Sequence, residues 1–277
     1  MSGINFVMGS IFAVLALGSA SVSHASDSDP TLRADLERIA QRRIFFGHQS
    51  VGVNLLDGVK QLAMTAGVPV QVVEVTSASG VKPATLGHTF VASNGDPLKK
   101  LRSFEQAMGQ QPTGLDIALV KFCFVDINKD TDVKDLFAHY HATIDDLRAK
   151  NPGTTFVHVT APLTVVPGGL KASLKKLFGL VPYGIMENMR REEYNTLLRQ
   201  AYQGREPIFD LARIESTAQN GTAVSAEWKG SVVPVLDSVY TDDGGHLNAV
   251  GKLRAARELI SVLASIPERP ATGKKTH

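Results

Sequence analysis

Two short segments of the chain carry residues whose type and spacing suit chemistry. The first is Phe45-Phe46-Gly47-His48-Gln49-Ser50-Val51-Gly52-Val53-Asn54, an apolar strand running into a glycine-flanked turn, with Leu55, Leu56 and Val59 opening a helix beyond it. A serine in that turn lies at the exposed end of a sheet, where the N–H groups of the helix start favour negative charge. Those are the conditions a nucleophile needs, and the same position equally suits a serine that caps the helix. The second is Tyr240-Thr241-Asp242-Asp243-Gly244-Gly245-His246-Leu247-Asn248. Two glycines between Asp243 and His246 let the loop fold until the carboxylate meets one ring nitrogen, leaving the other free as a base. Asp-Gly-Gly is also a common turn, and a solvated histidine needs no partner. The segments become a nucleophile, a base and an orienting group only if the fold joins them.

The elements that would join them alternate along the chain. A helix is expected over Thr31–Arg42, with Leu32, Leu36 and Ile39 on one face, leading into the strand Ile44-Phe45-Phe46. Further strands are expected at Val70–Thr76, Leu115–Phe124, Thr155–Thr160 and Pro207–Leu211. Their runs lack strict alternation, as strands covered on both faces do. Val133, Leu136, Phe137, Tyr140, Ile144 and Leu147 recur at helical steps, and Asn151-Pro152-Gly153 stops that helix. The last helix starts near Asn248, a good cap, and buries Val250, Leu253, Ile260 and Leu263. The alternation predicts one open α/β domain over residues 29–266 with a parallel sheet, whose reactive groups collect where strands end. Leu163–Arg190, broken by Gly168-Gly169, is expected to be a long surface connection or a wall of the site.

With this order of elements, the two segments resemble the SGNH/GDSL hydrolase superfamily. The nucleophile block is Gly47-His48-Gln49-Ser50, just after the first strand, and the last block is Asp243-Gly244-Gly245-His246, ahead of the last helix. The likeness spans Arg43 to Ser265. It implies a flavodoxin-like three-layer α/β/α sandwich with about five parallel strands, and ester hydrolysis or acyl transfer without metal or cofactor. By that resemblance Ser50 attacks the acyl carbon, His246 relays the proton, and Asp243, with Asp242 as the fallback, holds the His246 tautomer.

The sequence departs from the family pattern in two blocks. The usual Gly-Asp-Ser has one residue more here, and the Gly-x-Asn-Asp block aligns with Cys123-Phe124-Val125-Asp126. Val125, with no side-chain donor, stands where the family has its oxyanion-binding asparagine, and losing such a donor costs about 3–4 kcal/mol of transition-state stabilisation. The expected substitutes are the backbone N–H of Ser50, that of Gly95 in Ser93-Asn94-Gly95-Asp96-Pro97, and the side chains of Asn94, Gln49 and Asn54, with Gly80 a rival for the glycine. His48, two residues before Ser50, is expected to tune the site, bind substrate or fix the turn.

Composition narrows the partners. The 277 residues are 43% hydrophobic and 20% charged, with 29 Lys and Arg against 27 Asp and Glu, and a net charge of +2 attracts neither nucleic acid nor an anionic membrane. Cys123 is the single cysteine, which excludes an internal disulfide and a cysteine-based zinc site. The uncharged run Phe6–Ala20, followed by Ser23-His24-Ala25, predicts a signal peptide over residues 1–25, hence a secreted or periplasmic protein with no stable membrane insertion after cleavage. The tail from Pro267 is expected to be disordered. His139 and His141 are expected on the surface, His158 in the core, and Asp126, Asn128, Asp130 and Asp132 in a helix-capping loop rather than a calcium site.

The expectation is therefore an exported serine esterase acting on a small-molecule or glycan ester. Acyl transfer to an envelope polysaccharide is one rival. Binding of a carbohydrate or envelope partner without turnover is the other, and it alone needs no nucleophilic Ser50.

Overall fold

The structure, a computed structural model, describes residues 29–167 and 181–268. The expected signal peptide, residues 168–180 of the expected connection and residues 269–277 of the expected tail lie outside them. Helix α1 (Pro30–Ile39) opens the domain, with the Asp29 side chain accepting from Thr31 N and Pro30 at the first helical position, where no N–H is needed. Strand β1 (Arg43–His48) follows, then α2 (Val51–Ala66), which ends on Gly67 in the left-handed conformation. Next come β2 (Gln71–Glu74), β3 (Thr85–Phe90), α3 (Pro97–Met108), β4 (Ile117–Val120) and α4 (Val133–Lys150). The chain continues through β5 (Thr155–Val159), α5 (Ile185–Tyr202), β6 (Ile208–Phe209), α6 (Leu211–Glu215) and the antiparallel hairpin β7–β8 (Ser225–Trp228, Ser231–Pro234). Helix α7 (Ala249–Ser265) closes it, capped by Asn248 as the sequence predicts.

Six parallel strands lie in the order β2-β3-β1-β4-β5-β6. Without the edge strand β2 this is the flavodoxin-like order, in which the chain reverses its direction of travel across the sheet at β1. Side chains from β1 alternate between two cores. Ile44 and Phe46 pack with Leu36, Leu55, Val59, Leu259 and Ile260 from α1, α2 and α7, while Phe45 packs with Leu101, Phe104, Leu136, Tyr140, Tyr194 and Leu198 from α3, α4 and α5. Helices thus cover both faces, giving three layers, α/β/α. The carboxyl end of β1 at the reversal is where such folds open a crevice.

The sheet has six strands rather than about five. The added one, β3, is the direct neighbour of β1, pairing Phe46 with His88 and His48 with Phe90. The expected second strand, Val70–Thr76, is shorter and sits at the edge. The expected connection Leu163–Arg190 holds the start of α5.

His158 is a core histidine, its Nδ1 and Nε2 meeting Tyr140 Oη at 2.8 Å and Glu206 Oε2 at 3.0 Å. His139 and His141 are exposed beside Asp135 and Asp145 of their own helix. Asp132 caps α4 through Asp135 N.

One buried acid makes a pH prediction. Glu215 is 1% exposed, its Oε2 accepts from Leu163 N at 2.6 Å, its Oε1 has no partner, and burial pushes its pKa up to about 8. The folded state therefore keeps a proton that the unfolded chain releases above its ordinary value of 4.5, so this group removes stability as pH rises from about 4.5 to 8. Glu215→Gln keeps the acceptor without the charge. It is expected to leave the melting temperature unchanged at pH 5 and to raise stability at pH 8, by at most about 5 kcal/mol at roughly 1.4 kcal/mol per pH unit.

Candidate active site

Ser50 stands at the N-terminus of α2, two residues past the buried His48 end of β1. Its backbone has φ 49° and ψ −106°, outside the regions that residues with a Cβ favour. A Cβ at Gly52 would lie 2.5 Å from the His48 side chain, so only a glycine lets the first turn of α2 rest on that ring. Ser50 occupies the cap position without capping, since its side chain makes no bond to the helix N–H groups. Its Oγ instead bonds His246 Nε2, 196 residues along the chain.

His246 Nδ1 meets Asp243 Oδ2 at 2.6 Å. The other carboxylate oxygen accepts from His246 N at 2.8 Å and Gly245 N at 2.9 Å, with Thr241 Oγ1 at 3.3 Å. These bonds hold the Asp243 carboxyl well below the usual range, first through the His246 amide, then the Gly245 amide, then the imidazole. Asp243 is thus a carboxylate at neutral and mildly acidic pH, while Asp242 turns to Asn248 Nδ2 at 3.2 Å and away from the histidine. The orienting bond fixes the proton on Nδ1 and leaves Nε2 as the acceptor facing Ser50.

The rings of Phe124 and His246 meet edge to face, 5.4 Å between centroids, and Arg191 Cζ lies over the Phe124 ring, 5.9 Å from its centroid. A Cβ on Gly245 would come within 2.7 Å of that ring. Gly245→Ala is therefore expected to push the His246 loop off Phe124 with the fold intact. A displacement near 1 Å in a reacting pair costs about 100-fold in rate, to be read as the rate at which a fluorophosphonate labels Ser50.

The structure separates the expected oxyanion donors. The Gly95 N–H donates to Asp126 Oδ1 at 2.7 Å and so is already paired. Gln49 Nε2 bonds Val91 O, and Asn54 Oδ1 accepts from Leu247 N at 3.3 Å, tying the start of α2 to the histidine loop. His48 is fully buried under α2 with Nε2 3.1 Å from His88 Nδ1, and burial, then His88 and Lys121, push its pKa down to about 3, so it is neutral and out of reach of substrate. Gly80 belongs to a short turn between β2 and β3. Val125 is exposed beside Phe124 and has no side-chain donor. The Ser50 N–H and the Asn94 side chain remain.

Several residues here gave no signal in the sequence. Asn188 and Asn195 of α5 are buried, and each bridges one segment of the loop after β5, through Thr164 N and O and through Ala161 N and O. Buried Arg191 donates to Phe124 O at 2.9 Å, Ile127 O at 3.2 Å and Thr164 Oγ1 at 2.9 Å. Polar side chains at helical spacing read as a solvated face, yet these pair with loop backbone and fix one wall of the site. Beyond His246 that wall encloses a cleft of about 250 Å³ lined by Phe124, Thr164, Val165, Pro167, Tyr183 and the Asp243–His246 loop. Among the described residues, no group of three or more His, Cys, Asp and Glu is arranged to hold a metal ion, and no helix is long and apolar enough to cross a membrane.

Among solved structures, the chain is similar to a GDSL-like lipase from Bacteroides thetaiotaomicron, at 10% identity and a TM-score of 0.47 over 81% of this chain and 86% of that one. It is also similar to an acetyl esterase mutant solved with acetate ion, at 15% identity and a TM-score of 0.47 over 79% and 94%. A salicylyl-acyltransferase of a tetracycline biosynthetic pathway matches at 13% identity and a TM-score of 0.42 over 82% of this chain and 56% of that one. No family model and no curated protein matches.

Proposed function

We propose that the chain is a serine hydrolase of SGNH/GDSL type that cleaves carboxylic esters through an acyl-enzyme on Ser50. The observation that carries this reading is the continuous chain of bonds from Ser50 Oγ through His246 to Asp243. In the first half-reaction His246 Nε2 takes the Ser50 proton as Oγ bonds to the acyl carbon, and the Ser50 N–H faces the oxygen that gains charge. Collapse of the tetrahedral species breaks the bond to the alcohol, whose oxygen takes the proton from His246. Water, deprotonated by the same nitrogen, then releases the acid.

The half-exposed His246 and the small open cleft suit a short acyl ester whose alcohol part extends into solvent, including one on a glycan. Export follows from the uncharged segment Phe6–Ala20 and belongs to the same proposal.

The test is labelling of the purified protein by a fluorophosphonate, with peptide mapping of the adduct. An adduct on Ser50 that His246→Ala abolishes is the expected result, and a folded protein that takes no label contradicts the proposal. Asp243→Asn presents an amide where the imidazole needs an acceptor. It is expected to lower kcat at pH 7 by about 10³–10⁴-fold without unfolding the protein.

A further inference from the structure

Ester cleavage at Ser50 requires donors for the oxygen that gains charge, and Val125 supplies none. We infer that Asn94 is the missing side-chain donor and that the buried Lys100–Asp126 ion pair is the device that presents it, an inference that rests on the Ser50 hydrolase reading.

The loop bearing Asn94 begins beside the nucleophile. It leaves β3, whose Phe90 is in register with His48. Val91 N–H bonds His48 O at 3.1 Å, and Gln49, next to Ser50, bonds Val91 O. Asn94 itself is exposed, while its neighbour Gly95 is tied to Asp126.

Lys100 settles which end of the Asn94 amide faces outward. Its Nζ lies 2.7 Å from Asn94 Oδ1, and an ammonium has only donors, so the carbonyl oxygen must face it. Nδ2, with its two N–H groups, is the end turned away from the lysine.

The same Nζ pairs with Asp126 Oδ2 at 2.6 Å, and both side chains are 0% exposed. Asp126 also accepts from Gly95 N at 2.7 Å and Cys123 N at 2.5 Å, joining the loop after β3 to the turn after β4. Two apolar side chains would join these loops at a smaller desolvation cost. What the ion pair adds is the orientation of one exposed carboxamide on the loop that starts beside Gln49. Lys100 is thus a positioning residue, and Asn94 does the work that the absent third-block asparagine does elsewhere.

The probe is a fluorophosphonate, whose phosphoryl oxygen needs the same donors as an ester oxyanion. Its labelling of Ser50 is resolved into a maximal rate kinact and a half-saturation constant KI. Asn94→Ala is expected to lower kinact about 100-fold, with KI and the midpoints of the rate–pH profile unchanged. Lys100→Met combined with Asp126→Asn, which leaves no buried charge unpaired, is expected to lower kinact similarly. Adding Asn94→Ala to that double variant should then lower it little further, because both changes remove one oriented donor. If Asn94→Ala labels Ser50 within threefold of the wild-type rate, or if the effects multiply, the inference is overturned while the hydrolase reading stands. Absence of any Ser50 adduct in the folded wild type overturns both.

Discussion

Ser50→Ala is expected to lower ester hydrolysis by about four to six orders of magnitude, with His246→Ala close behind and the double variant no worse than either. The reason is the unit these residues form. Without Oγ there is no bond to the acyl carbon, and without Nε2 the hydroxyl keeps its proton at neutral pH. The second loss therefore finds nothing left to remove.

Stability should behave differently. The Ser50 side chain caps nothing, so its removal leaves no helix N–H group orphaned and should change stability by less than about 0.5 kcal/mol. Ser50→Gly sharpens the contrast, because glycine accepts the φ of 49° that serine adopts under strain. It is expected to be as inactive as the alanine variant and more stable than it by about 1 kcal/mol. Thermal melting and kcat, measured on the same three proteins, check both halves. An alanine variant that hydrolyses any ester at the wild-type rate removes Ser50 from the chemistry.

The bonded Ser50, His246 and Asp243 are legible in the sequence as candidates because they lie in two local segments where glycines make room. Gly52 lets α2 approach His48, and Gly245 lets the histidine loop approach Phe124. That the two segments meet follows from strand order, which the apolar runs of β1, β4 and β5 reveal. Strand β3 escapes such reading because Thr85-Leu86-Gly87-His88-Thr89-Phe90 mixes polar residues with a glycine. That glycine is there for packing, since a Cβ at Gly87 would lie 2.5 Å from Val81. The oxyanion donors are illegible for another reason. Whether the Gly95 N–H or the Asn94 amide is available depends on which groups reach them: the Asp126 carboxylate accepts from Gly95 N, and Lys100 Nζ donates to Asn94 Oδ1. In the sequence Asp126 reads as the acid of the Cys123–Asp126 block and of a helix-capping loop. Its burial, and its lysine, belong to the tertiary fold.

Lys100→Met is the substitution expected to cost the most stability. A methionine fills much of the space of the lysine stem, so the change is close to removing one charge from a pair in which both side chains are fully buried. Asp126 keeps the amides of Gly95 and Cys123 but loses its only cation within bonding distance among the described residues. A buried carboxylate left in that state costs about 3–5 kcal/mol, which for a domain of this size lowers the melting temperature by roughly 10 °C or more. The exposed pair Arg33–Glu37, at 49% and 55% side-chain exposure, is the contrast. Breaking it with Glu37→Gln, which leaves the bond from Arg33 to Ala66 O in place, should change stability by less than about 1 kcal/mol, because water already screens the pair. Lys100→Met with Asp126→Asn should recover most of the loss, since the asparagine oxygen still accepts an amide and no charge remains to desolvate. If the single variant melts with the wild type, the pair is hydrated and cannot hold Asn94 in place. If the double variant melts as low as the single one, the lysine contributes by its packing, and its charge has no part in joining the two loops.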